Sequence, residues 1–152
     1  MKEAQSKKAA TEAITELILE TFRLNGRLLE AGNELVGPLE LTSARWQVLG
    51  AIENSPTPLP VAHIARNMGL SRQAVQRLAN EMEKDGLVQF APNPHHERAK
   101  FVLMTHRGKQ ACRSAMSKQQ WWAESLAEGF SIDAIRDAVH VLRRLRHKLE
   151  TS

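Results

Sequence analysis

Residues 71–80, SRQAVQRLAN, hold two arginines, two glutamines and no carboxylate. These side-chain types can read the edges of base pairs. A guanidinium matches guanine O6 and N7 in bidentate fashion, and a glutamine amide matches adenine N6 and N7. On a helix, Arg72, Gln73, Gln76, Arg77 and Asn80 lie outward, while Val75, Leu78 and Met82 lie inward. The acids Glu81, Glu83 and Asp85 gather at the far end, so the N-terminal half can approach phosphates. A face that is only solvated usually mixes both signs of charge. A second basic group follows in the segment NPHHERAK, with His95, His96, Arg98 and Lys100. Arg98 suits insertion into a narrow, strongly negative minor groove. Glu97 beside it opposes close phosphate contact.

Other chemistries lack their parts. One cysteine, Cys112, excludes an internal disulfide and any site built on two thiolates. A lone helix cysteine reads as a small buried apolar residue. The six histidines form no HExxH motif, and the chain has no nucleophile–base–acid set and no glycine-rich phosphate loop. The expectation is a protein that is not an enzyme, with no cofactor and no metal.

The elements that must position the basic residues can be read from periodicity. Residues 60–86 predict two helices joined by a tight turn, a helix-turn-helix. Ile64, Ala65, Gly69, Leu70, Val75 and Leu78 supply its six structural positions. Gly69 suits a left-handed helix end, Leu70 is expected to plug the corner, and Ser71 is expected to cap the second helix. That recognition helix covers about 71–85 and closes at Gly86. The runs GLVQFA and AKFVLM then predict a β-hairpin wing over about 87–104. Upstream, 43–54 reads as a helix, and the three prolines of SPTPLP at 55–60 read as a loop.

Both ends read as long helices with apolar stripes. Residues 8–36 repeat Ile14, Thr21, Leu28 and Leu35 every seven residues, with Leu17, Leu24 and Ala31 alongside. Gly26 and Gly32 interrupt the stripe, either as weak spots or as places of close approach. Residues 105–129 and 132–149 predict two further helices, the last with Ile132, Ile135, Val139 and Leu142 on one side. Such stripes suit pairing with a second copy of the chain. The predicted fold is mostly α with a small β-hairpin. It is a winged helix-turn-helix at 41–104, with long dimerisation helices at 8–36 and 105–150, in a single domain over 1–152.

Length and composition agree with that reading. The 152 residues suit one domain, and 42% hydrophobic with 25% charged residues is ordinary for a globular chain. The net charge of +4 is uneven. Residues 1–40 carry an acidic excess, and the densest basic excess falls in 41–110, as an anionic partner would require. No apolar run reaches the ~18 residues of a membrane helix. Glutamates break up the N-terminus where a signal peptide needs an apolar core. The expected location is cytoplasmic.

With those residues in view, the chain resembles MarR-type winged-helix regulators over nearly its whole length. LTSARWQVLGAI at 41–52 is similar to the leucine-threonine opening of the family's second helix. VQRLANEMEKDGLV at 75–88 resembles the recognition-helix signature, with Arg77 at the arginine. NPHHERAKFVLMTHRG at 93–108 resembles the wing signature through Asn93, Pro94, Arg98, Val102, Met104, Thr105 and Gly108. The resemblance implies a homodimer on a pseudo-palindromic double-stranded DNA operator, acting as a repressor released by a small ligand. Ser71, Arg72, Gln73, Gln76, Arg77, His96, Arg98 and Lys100 would be its DNA-binding residues. It also implies a pocket for a small aromatic or anionic ligand. Phe22 and Trp46 are the candidate walls, with Arg23 or Arg113 as counter-charge. Asn93 and His96 depart from the family's usual aspartates, which predicts a looser or differently aimed wing. Gln76 replaces a frequent threonine, which predicts a different base preference. A protein-binding winged helix without DNA readout is the alternative.

Overall fold

A computed structural model describes all residues, 1–152. Its order is α1 (Lys2–Val36), a 3-10 turn (Gly37–Leu39), α2 (Ser43–Glu53), β1 (Leu59–Pro60), α3 (Val61–Met68) and α4 (Arg72–Lys84). Then come β2 (Val88–Ala91), β3 (Phe101–Met104), α5 (His106–Ala127) and α6 (Ile132–Glu150). The fold is a winged helix, mostly helical with one small sheet. No helix is long and apolar enough to cross a membrane.

The chain divides into two compact units, Met1–Lys118 and Gln119–Ser152. The first holds the core, in which Val48, Leu49, Ile64, Val75, Met82 and Val102 are fully buried. These residues come from α2, α3, α4 and β3, so one apolar cluster fixes the helix-turn-helix and the wing together. In the second unit, α6 buries no residue. Ser71 and Ser131 cap α4 and α6, each hydroxyl accepting the N–H three residues on, at 3.1 and 3.2 Å.

The turn between α3 and α4 forms as its residues dictate. Gly69 has φ +65°, a left-handed conformation that L side chains resist. The Leu70 N–H then bonds back to the Ala65 carbonyl at 3.0 Å, closing the end of α3. Leu70 itself does not plug the corner, since its side chain is half-exposed. The inside of the turn is occupied by Ile64, Ala65 and Val75, and the backbone bond at Leu70 leaves its side chain outside.

Two other expectations change. The sheet has three strands in the order β1-β3-β2, not a two-stranded hairpin. Leu59 pairs with Val102 and Pro60 with Phe101, so the proline-rich loop ends in a short strand. A proline is tolerated there because β1 is an edge strand and needs no inward N–H. Pro60 is also the N-cap of α3, which starts at Val61. In the first helix, Gly32 is a site of close approach. A Cβ there would overlap the Ser43 hydroxyl, which donates to the Leu29 carbonyl at 2.8 Å. Gly26 meets nothing and is a weak spot only.

Candidate nucleic-acid interface

Helix α4 and the wing form the two walls of an open groove of about 1010 Å³. From α4 it is lined by Arg72, Gln73, Gln76, Arg77, Asn80 and Glu83, and from the wing by Phe90, His96, Arg98, Ala99 and Lys100. Seven of the eight residues singled out for DNA contact therefore share one groove, although 18 residues lie between Arg77 and His96 in the sequence. Ser71 does not line it. Its hydroxyl oxygen accepts the Ala74 N–H as the cap of α4.

The groove is electrostatically one-sided. Arg72, Arg77, Arg98 and Lys100 take part in none of the chain's six ion pairs, and Glu83 is the one carboxylate in the lining. Unpaired cations on a concave wall attract a polyanion over long range. The acids at the exit of α4 are partly neutralised. Arg45 of α2 sits 2.7 Å from the Asp85 carboxylate. Arg107 of α5 donates to the Asp85 carbonyl at 2.9 Å and meets Glu40 at 3.3 Å. These arginines hold the C-terminal end of α4 to its scaffold while the N-terminal half stays open.

The wing tip is tied by bonds of its own. The Asn93 side-chain amide donates to the Ala99 carbonyl at 2.9 Å, and its oxygen accepts the His95 N–H at 3.0 Å. Backbone bonds from His96 to Asn93 and from Ala99 to His96 complete the turn. An aspartate at 93 could keep the second of these side-chain bonds but not the first, because a carboxylate has no donor. Arg98 itself takes part in no ion pair. The Asn93→Asp variant is expected to loosen the tip, so that the His95, His96 and Ala99 amides exchange about fivefold faster. Amide exchange by NMR measures this, and unchanged protection would show that the clip carries no stability.

Helix spacing held a signal for Asn80 and Glu83 as well. Residues 76, 80 and 83 stand at i, i+4 and i+7 on one stripe. The Gln76 amide donates to the Asn80 side-chain oxygen at 3.0 Å. Phe90, Pro60, Val61 and Ala62 also line the groove, and only the fold could bring them there.

The four residues expected around a ligand do not share this groove. Phe22 is largely exposed on α1, and Arg23 pairs with Glu20 at 3.2 Å. Arg23 also lines a shallow groove along α1 that includes none of the other three. Trp46 packs against the core and Arg113 donates to the Lys109 carbonyl. Cys112 is buried. Burial first, and then the Glu53 carboxylate, push its thiol above the ordinary range. Such a thiol stays protonated and unreactive at neutral pH, as a packing residue does.

A family model described as MarR family matches residues 39–99, the span that holds the helix-turn-helix and most of the wing. Over that span the chain is similar to the MarR family. The transcriptional activatory protein BadR of Rhodopseudomonas palustris is 27% identical over 140 residues, covering 90% of this chain and 80% of BadR. Solved MarR-type structures share the fold at lower identity. The regulator MosR of Mycobacterium tuberculosis, in complex with DNA, superposes with TM-score 0.72 at 23% identity, over 88% of this chain and 96% of that one. CouR of Rhodococcus jostii, bound to p-coumaroyl-CoA, superposes with TM-score 0.73 at 22% identity, over 82% and 87%. The chain shares the winged-helix fold of these regulators.

Proposed function

We propose that this chain is a dimeric, sequence-specific DNA-binding transcription regulator of the MarR type. The observation that carries the reading is the groove, where four cations without carboxylate partners stand beside base-reading amides. Helix α4 enters the major groove, with Arg72, Gln73, Gln76 and Arg77 reaching base edges and phosphates. Ser71 meets a phosphate through its hydroxyl hydrogen at the α4 N-terminus. The wing lies over the adjacent minor groove, with Arg98 inserted and Lys100 and His96 on the backbone. The MosR–DNA complex, on the same fold, supports this reading.

Dimerisation is part of the proposal. Leu19, Phe22, Leu24 and Leu28 of α1 are exposed, as are Ile132, Ile135, Val139 and Leu142 of α6. Two long helices with uncovered apolar stripes call for a second copy, and two-fold symmetry then matches a pseudo-palindromic operator. The proposal extends to repression relieved by a small aromatic or anionic ligand. The p-coumaroyl-CoA bound to CouR supports such regulation.

Binding to duplex DNA is expected to fall steeply with salt. Four cations in each of two protomers predict a loss of roughly 10³-fold or more between about 50 and 200 mM salt. Fluorescence anisotropy with a labelled duplex measures it. No binding, or binding indifferent to salt, would favour a protein-binding winged helix instead.

A further inference from the structure

The hydrogen bond between Gln76 and Asn80 has a consequence for base choice. Both side chains are on the exposed face of α4 and both line the groove. The Gln76 side-chain nitrogen donates one hydrogen to the Asn80 oxygen at 3.0 Å. That leaves Gln76 with its amide oxygen and its second N–H. An acceptor and a donor side by side are what the major-groove edge of adenine requires, the oxygen taking the N6 hydrogen and the N–H meeting N7. A glutamine free to rotate can turn its amide over and present the reverse order. A glutamine tied to Asn80 can turn over only if the Asn80 amide turns with it, so two side chains must rotate together instead of one. The carbonyl oxygen of Asn80 is committed to Gln76, while its own NH₂ remains available to a phosphate or a water.

We infer that Asn80 is a positioning residue that locks the Gln76 amide for adenine in each half-site. The inference rests on the DNA-binding reading and adds a specificity determinant to it. Asn80 acts through Gln76, so its loss changes which base is preferred more than how tightly DNA is held. It is exposed and makes no core contact, so its replacement leaves the fold intact.

The test uses the full-length protein and the duplex it selects from a random pool. Every single base-pair substitution of one half-site is then ranked in competition. Wild type is expected to prefer adenine at one position, and Asn80→Ala to lower that preference about tenfold. Asn80→Asp keeps an acceptor for the Gln76 N–H. It is expected to retain the adenine preference while weakening binding to every duplex through its charge. In a Gln76→Ala background, Asn80→Ala should change no preference at all. An adenine preference that survives Asn80→Ala would overturn the inference and leave the DNA-binding reading standing. So would a loss at a different base pair that persists without Gln76, since Asn80 would then touch a base itself. A wild-type protein that selects no sequence would overturn both.

Discussion

Removing Arg72 and Arg98 together is expected to weaken binding to a selected duplex about a hundredfold or more. One residue stands on each wall of the groove, and neither has a carboxylate partner. Their side chains therefore leave no internal ion pair when they meet DNA. An arginine released from a salt bridge would give back part of what it gains, and these do not. The two single variants should differ in kind. Arg72→Ala, at the start of α4, should relax base preference at one position, as a bidentate guanine contact would. Arg98→Ala should weaken binding to all sequences more evenly, because a minor-groove arginine reads width and potential more than base identity. The salt slope should shrink by about one per protomer for each charge removed. Anisotropy titrations at three salt concentrations would separate these effects. An Arg72/Arg98 double variant with wild-type affinity would place the DNA elsewhere on the molecule.

The Gly108→Ala variant is expected to destabilise the winged helix by roughly 3 kcal/mol or more, although it adds one methyl group. Gly108 lies in the first turn of α5, and a Cβ there would overlap the Leu87 carbonyl oxygen. That oxygen is held in place by the Thr105 N–H at 3.1 Å, and the Thr105 hydroxyl bonds the Gly86 carbonyl at 2.6 Å. The Gly108 N–H in turn donates to the Thr105 hydroxyl oxygen at 3.0 Å. Backbone is pinned on both sides, so no flexible side chain can swing away. The exit of α4, the start of β2 and the entry to α5 would have to part. Since this junction sets the angle between α4 and the wing, DNA binding should fall along with the denaturation midpoint. Urea denaturation followed by circular dichroism reads the loss. A midpoint equal to that of wild type would mean that the junction relaxes at no cost.

The sequence was informative where a local rule fixes the outcome. The caps at Ser71 and Ser131, the turn at Gly69 and the inward residues Val75 and Met82 all follow from short-range chemistry. Strand β1 did not show, because two residues carry no alternation and their pairing with β3 depends on contacts 41 to 43 residues away. Leu70 was misread for a related reason. Its backbone role is local, but whether its side chain is covered depends on what packs over the turn. The basic residues of the groove were legible as two separate groups. Their meeting in one groove, with Phe90 between them, is a property of the fold. Asn93 shows the opposite case. In the sequence it is only a departure from the family's usual aspartate, whereas in the fold its amide makes a bond that a carboxylate cannot. The candidate ligand residues stayed scattered because aromatic and cationic side chains on long helices serve packing and solvation as readily as binding.

Selection from a random pool of duplex DNA at near-physiological salt tests the central claim most directly. The groove of α4 and the wing, repeated by a two-fold dimer, predicts an enriched pseudo-palindrome with half-sites about one helical turn apart. No enrichment, from protein shown to be a folded dimer, would contradict it.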